Sequence, residues 1–285
     1  MKFGFLLPNF GPFSDVRLLA DLAHDAESAG WDGFFLADTI QMMGYEISPT
    51  SDPWIAMTAI AMRTERIKFG LIVSAPPRRR PWQLAKEAAT LDQLSNGRLI
   101  LGVGSGDEHD RAFEVFGEER DLKRRAAMLD ESLEIFTGLW TGQPFSFAGE
   151  HYQIEEIRML PAPVQQPRIP IWVGWLWPRK RPIDRAARWD GAAPFKLNED
   201  GSFADITPDE LRQMRQMIDA RRIDDGPYDI VSSGPIVASA TDSAALEVLR
   251  ANTEAGATWS FEYIPPEFDI DEFRAALRAG PPNLA

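Results

Sequence analysis

Cysteine is absent from the chain, which excludes disulfides, thiolate metal sites and a cysteine nucleophile. Histidine is scarce: His24, His109 and His151 lie far apart, with no HExxH pair or similar ligand spacing, so the pattern argues against a zinc enzyme and no metal is expected. No apolar run approaches the ~18 residues that would span a membrane. The apolar start "MKFGFLLPNFGPF" is broken by Pro8, Asn9 and Gly11 and reads as a first strand, not a signal peptide. The expected location is therefore the cytoplasm. Positive charge is short as well, with 30 Lys and Arg against 43 Asp and Glu and a net charge of −13. That balance lacks the footprint needed to displace counterions from nucleic acid. Two local basic clusters, Arg78-Arg79-Arg80 and Arg179-Lys180-Arg181, carry more weight against such a field.

What is present is alternation. Strand-like runs at 2–8, 31–38, 66–74, 98–104, 168–175, 189–195, 228–239 and 257–266 are nearly all separated by helix-period segments. Those segments fall at 14–30, 53–64, 81–97, 121–139, after the fifth strand to Arg188, 207–223, 241–256 and 269–280. Ser14 is a candidate N-cap and Gly30 a C-terminal stop for the first of them. The stretch 145–161 alternates in period two, like an inserted hairpin. Strands separated by helices favour a parallel sheet, and eight of them are the number that closes a (β/α)8 TIM barrel. No linker divides the 285 residues, so the expectation is one barrel domain with a hairpin insertion near 141–165.

The run "RLILGVGSGDEHD", from Arg98 to Asp110, raises a nucleotide-binding turn. A dinucleotide fingerprint, however, needs GxGxxG between the first strand and its helix. Here the spacing is GxGxG on the fourth strand, followed by Asp107, Glu108 and Asp110, which is poor electrostatics for a pyrophosphate. An NAD dehydrogenase fails on both counts.

The segment Ile67 to Gly106, "IKFGLIVSAPPRRRPWQLAKEAATLDQLSNGRLILGVGSG", resembles the bacterial luciferase-like flavin monooxygenase superfamily. "LDESLEIFTGLWTG", "PVQQPRIPIWVGW" and "AARWDGAAP" extend the likeness over about residues 1 to 195. The resemblance implies a (β/α)8 barrel with a flavin at the C-terminal ends of its strands. The cofactor it implies is reduced FMN used with dioxygen on an apolar organic substrate, or alternatively the deazaflavin coenzyme F420 used for hydride transfer. It further implies a small-molecule partner, a separate flavin reductase in the FMN case, and a homodimer through the early helices.

Carried over by position, the resemblance places a non-prolyl cis peptide at Ile72-Val73, next to Ser74, against the flavin ring. Gly104, Ser105 and Gly106 would let the flavin's side chain lie against backbone. Relatives often carry Asp-His after the second strand, where this chain has Asp38-Thr39. Threonine cannot exchange protons near neutrality, so acid–base work falls to Asp38 or His109, the latter also readable as a solvated loop residue. In place of the Gly-Gly-Ser phosphate loop, only Gly174 remains, followed by Arg179, Lys180 and Arg181. These cations either grip a phosphate or form a solvated surface. Trp175 and Trp177 would share one side of an extended strand, where indoles stack on a flavin or wall a pocket. Trp172 reads equally well as packing. Met42 and Asn9 are candidate pocket residues beside Trp177. A non-catalytic flavin-binding or flavin-free barrel is the reading of a different class, and cofactor titration separates it from the enzyme.

Overall fold

The computed structural model describes residues 1–199, 202–237 and 242–284. Eight parallel strands close a barrel: β1 (Lys2–Leu7), β2 (Gly33–Leu36), β3 (Lys68–Ser74), β4 (Leu99–Val103), β7 (Ile171–Leu176), β8 (Gly191–Phe195), β9 (Asp229–Ser233) and β10 (Trp259–Tyr263). Their order around the ring is β1-β10-β9-β8-β7-β4-β3-β2, so each new strand adds beside its predecessor and β10 returns to β1. The remaining two, β5 (Phe145–Ala148) and β6 (Gln153–Ile157), form the expected antiparallel hairpin.

The helices between the strands start where the sequence caps them. α1 (Val16–Ala29), α2 (Pro53–Arg63), α5 (Leu122–Trp140) and α9 (Ile270–Ala279) open on Asp15, Asp52, Asp121 and Asp269, whose carboxylates accept the first free N–H groups. The first cap is thus Asp15, and Ser14 bonds back to Gly11 instead. α3 (Pro81–Leu94) begins on a proline, and α7 (Pro208–Asp219) has a full capping box between Thr207 and Glu210. α4 (Ala112–Val115), α6 (Arg181–Ala186) and α8 (Ser243–Glu254) complete the set among the described residues. The single turn of α4 was not expected from the pattern. The last residues of the expected seventh strand, 238 and 239, and the expected start of the next helix at 241, lie outside the described residues.

Alternation along the strands sorts side chains into two cores. Phe5, Leu7, Phe34, Leu36, Leu71, Leu101 and Val173 face the helices in one continuous layer. Phe35, Trp172, Trp259 and Phe261 fill the barrel itself, with Phe35 stacked on Trp172 at 5.7 Å between centroids. This aromatic plug makes the interior a packed core and leaves only the C-terminal ends of the strands as a mouth. Among the described residues no helix is long and apolar enough to cross a membrane.

Candidate active site

The loops after β1, β2, β3 and β4 are tied together by buried polar groups. Asp38, past the end of β2, is 1% exposed at its side chain. Its Oδ1 accepts from Arg78 (2.7 Å) and Arg79 (2.9 Å), and its Oδ2 accepts from the Ser74 hydroxyl (2.9 Å). Burial pushes this carboxyl up, but the Arg78 and Arg79 guanidiniums beside it outweigh that and hold it below its ordinary value. Arg78 also pairs with Asp110 and bonds the Asp38 carbonyl. Asp110 in turn accepts the backbone N–H groups of Ile40, Gln41 and Ala112. Asn9 donates to the Thr39 and Ser51 carbonyls and accepts from the Thr39 N–H.

These contacts revise three roles expected from the sequence. Asp38, with both oxygens bonded and its side chain 1% exposed, holds the two arginines in this arrangement instead of facing open solvent. The Ser74 hydroxyl is bound to Asp38 and not offered to a cofactor. The Asn9 amide is committed to backbone and not to substrate. Met42 lies on the same strap after β2, bridged to Asp110, and does not line the cleft described below.

At the end of β3 the Ile72-Val73 peptide is cis, and both side chains pack toward the barrel interior. The glycines around them make room for this chain's own side chains. A Cβ on Gly104 would stand 2.7 Å from Val73 Cγ2, and one on Gly174 2.5 Å from Val73 Cγ1. Gly106, at φ +92°, has the Phe113 ring where its Cβ would be, at 2.3 Å. The missing side chains at these three glycines thus make room for Val73 and Phe113. Ser105, between them, is half-buried.

The indoles also fall elsewhere. Trp175 and Trp177 do share a side, but it is the outer one, in the layer between strands and helices. Trp177 donates its ring N–H to Glu210 at 3.1 Å. Both rings pack in that outer layer and not among the residues that line the cleft. Trp172 is barrel packing. Arg179, Lys180 and Arg181 are exposed where β7 leaves the mouth, and their side chains make no ion pair or hydrogen bond with a described residue. His109 stands on the rim with Nδ1 2.9 Å from Asp107 Oδ1, both side chains more than half exposed. Among the described residues no cluster of three or more His, Asp or Glu could hold a metal ion.

Two features escaped the sequence reading. Arg125 on α5 is 2% exposed, lies 4.1 Å over the Phe113 ring, and has Nε and Nη1 buried with no acceptor. Burial pushes its guanidinium down from the ordinary value while Glu108 and Asp107 act the other way. The signal was available: Arg125, Leu129, Leu133 and Phe136 follow one helical stripe, and a cation there breaks an apolar face. The second is a cleft with about 510 Å³ of free space, part of it open to solvent, between β8, β9 and β10 and reaching Leu6 and Ile72. Its walls include Phe195, Phe203, Val231, Phe261 and Tyr263.

The fold and its mouth define the class: a closed β/α barrel with a buried guanidinium that lacks acceptors among the described residues on one side of the C-terminal strand ends and an apolar cleft on the other. The chain belongs to the luciferase-like monooxygenase family, whose model matches residues 1–280. An F420-dependent glucose-6-phosphate dehydrogenase of Nakamurella multipartita is 33% identical over 180 residues, covering 61% of this chain and 50% of that one. The chain spans about half the length of the curated relatives it matches. Among solved structures, the monooxygenase RslO1 from Streptomyces bottropensis superposes with a TM-score of 0.76 at 19% identity, covering 98% and 97% of the two chains. The F420-dependent tetrahydromethanopterin reductase of Methanopyrus kandleri gives 0.73 at 16% identity, over 98% and 96%. Both confirm the barrel.

Proposed function

We propose that the protein is an oxidoreductase that exchanges hydride between coenzyme F420 and a small, largely apolar organic molecule. The observation that carries this reading is the set of cations free to meet an anionic tail: buried Arg125, and the exposed trio Arg179, Lys180 and Arg181 on a chain of net charge −13. A deazaflavin tail with a phosphodiester and carboxylates suits both, whereas the single phosphate of FMN would leave the outer trio idle. The F420-dependent relatives above 30% identity support the same choice over FMN with dioxygen, the reading that the sequence resemblance put first. A flavin reductase partner belongs to the FMN reading only.

The residues present fit such a group. The orphaned Nε and Nη1 of Arg125 lack acceptors that an anion would supply, and Arg179 and Arg181 add charge-assisted donors at the rim. When bound, the coenzyme supplies the hydride chemistry. The chain's own part is to present Ile72 and Val73 as an apolar floor and to exclude water in the cleft. His109 donates from Nδ1 to Asp107, which leaves Nε2 as its accepting ring nitrogen at the rim. Titration with F420 and with FMN, followed by ring fluorescence, tests the reading. Micromolar F420 binding that weakens with salt and with Arg179→Ala/Arg181→Ala is expected; tighter binding of FMN, or of neither, overturns it.

We also propose a homodimer through α2 and α3, whose outer faces leave Ile55, Met62, Trp82 and Leu94 exposed. Light scattering should show a dimer that Ile55→Glu/Met62→Glu separates; a monomeric parent protein would refute it.

A further inference from the structure

The cleft between β8, β9 and β10 differs from a sugar-phosphate site in what its polar groups are doing. Its one cation, Lys196, is already neutralised: Nζ lies 2.9 and 3.0 Å from the two Glu210 carboxylate oxygens. Glu210 is itself fixed by the Thr207 capping box and by the Trp177 ring N–H. The Ser232 hydroxyl donates to the Trp259 carbonyl at 3.2 Å, and the Ser233 hydroxyl accepts from the Ile206 N–H at 3.4 Å. Tyr263 is the exception. Its ring is clamped against Phe203 at 4.8 Å between centroids and packs on the barrel core, the residue lines the cleft, and its hydroxyl makes no hydrogen bond to a described residue. Burial, with Tyr45 and Glu267 nearby, pushes this phenol up to about 12, so it is a donor at any working pH.

Among the described residues, a ligand seated there meets apolar walls, no free cation and two O–H groups without an acceptor, those of Tyr263 and Ser233. Desolvating a phosphate or several sugar hydroxyls among such walls leaves those groups unpaired, which costs several kcal/mol. A carbonyl compound leaves nothing unpaired. We propose that this cleft takes an uncharged, compact ketone whose oxygen accepts from the Tyr263 hydroxyl, and that it rejects glucose 6-phosphate, the sugar phosphate named for the similar dehydrogenases. The assignment rests on the oxidoreductase reading above for its meaning but not for its measurement.

The test is binding, on the protein loaded with F420 and in parallel on the cofactor-free protein, with cyclohexanone, methylenecyclohexane and glucose 6-phosphate as probes. Cyclohexanone should bind more tightly than glucose 6-phosphate. Tyr263→Phe, which keeps the ring and its packing, should weaken cyclohexanone about 3- to 10-fold, the worth of one neutral hydrogen bond. It should leave methylenecyclohexane, the same shape without the acceptor oxygen, unchanged. Equal losses for the two, no binding of cyclohexanone at millimolar concentration, or tighter binding of glucose 6-phosphate would overturn the proposal. Failure of F420 to bind would instead sink the cofactor reading, and the cofactor-free titration would still decide the cleft.

Discussion

The loops after β1 to β4 and the loops after β7 to β10 share one mouth, yet they use polar side chains in opposite ways. On the first side nearly every polar group is buried and bonded: Asn9, Asp38, Ser74, Arg78 and Asp110 join four loops into one frame. On the second side the walls are apolar and the polar groups stand at the rim, as Arg179 and Arg181 do, or line the cleft without a bond to a described residue, as Tyr263 does. A polar residue at the end of a strand therefore reads as function only after its bonds are counted. The first side, Arg125 apart, holds the mouth in shape; the second side leaves most of its polar groups open to a ligand.

The largest effect should come from cutting the frame. Arg78→Met takes the one cation from buried Asp110 and one of two from buried Asp38, whose side chains are 4% and 1% exposed. Removing one partner of a buried pair costs about 3–5 kcal/mol, measurable by urea denaturation. Lys196→Met on the second side breaks a pair that is about a quarter to a third exposed and should cost ~1 kcal/mol or less. Similar losses from the two variants would erase the distinction between the halves.

Gly104→Ala comes next. The new methyl would press on Val73 Cγ2 at 2.7 Å, and overpacking of this kind costs about 1–3 kcal/mol. If the glycine serves Val73, then Val73→Ala in the same chain should recover most of the loss. A double-mutant cycle with no coupling would return Gly104 to a direct role with the cofactor.

Acid should also act on the frame first. The Asp38 carboxyl is held below its ordinary value in the folded protein, so its stabilisation is complete above the usual aspartate range of ~3.9 and is lost as the pH falls through the folded value. Denaturation curves of the parent protein and Asp38→Asn, taken from pH 6 to pH 3, should therefore converge at the acid end. Parallel curves would mean that Asp38 is not a charged member of the frame.

How much of this could be read beforehand follows the same division. Strand and helix alternation, the hairpin and the position of the Ile72-Val73 peptide were legible because they depend on local pattern and on a motif that lies in one continuous stretch. The roles of Asp38, Asn9 and Ser74 were not, since each depends on partners that only closure of the barrel brings near: Asp38 and Arg78 are 40 residues apart, and Asn9 and Ser51 are 42. Trp175 and Trp177 were placed on one shared side correctly, but alternation alone does not say which side of a barrel strand is the inner one. Counting from Trp172, which stacks on Phe35 inside the barrel, puts Gly174 inward and Trp175 outward. The same count along β10, from Trp259 through Phe261, aims Tyr263 into the mouth.

The smallest effect is the most telling about the second side. Because the Tyr263 hydroxyl bonds to no described residue while its ring stays packed on Phe203 and the barrel core, Tyr263→Phe should leave unfolding free energy within ~0.5 kcal/mol of the parent, as substitutions outside a bonded network do. In the first half no comparable deletion is free: Ser74→Ala removes a hydroxyl that donates to Asp38 in a fully buried setting and should cost about 1–3 kcal/mol. Thermal or urea unfolding of the two variants side by side measures the contrast directly. A Tyr263→Phe loss as large as that of Ser74→Ala would show that the phenol is part of the protein's own bonding, and the proposed ketone would then lose its Tyr263 donor.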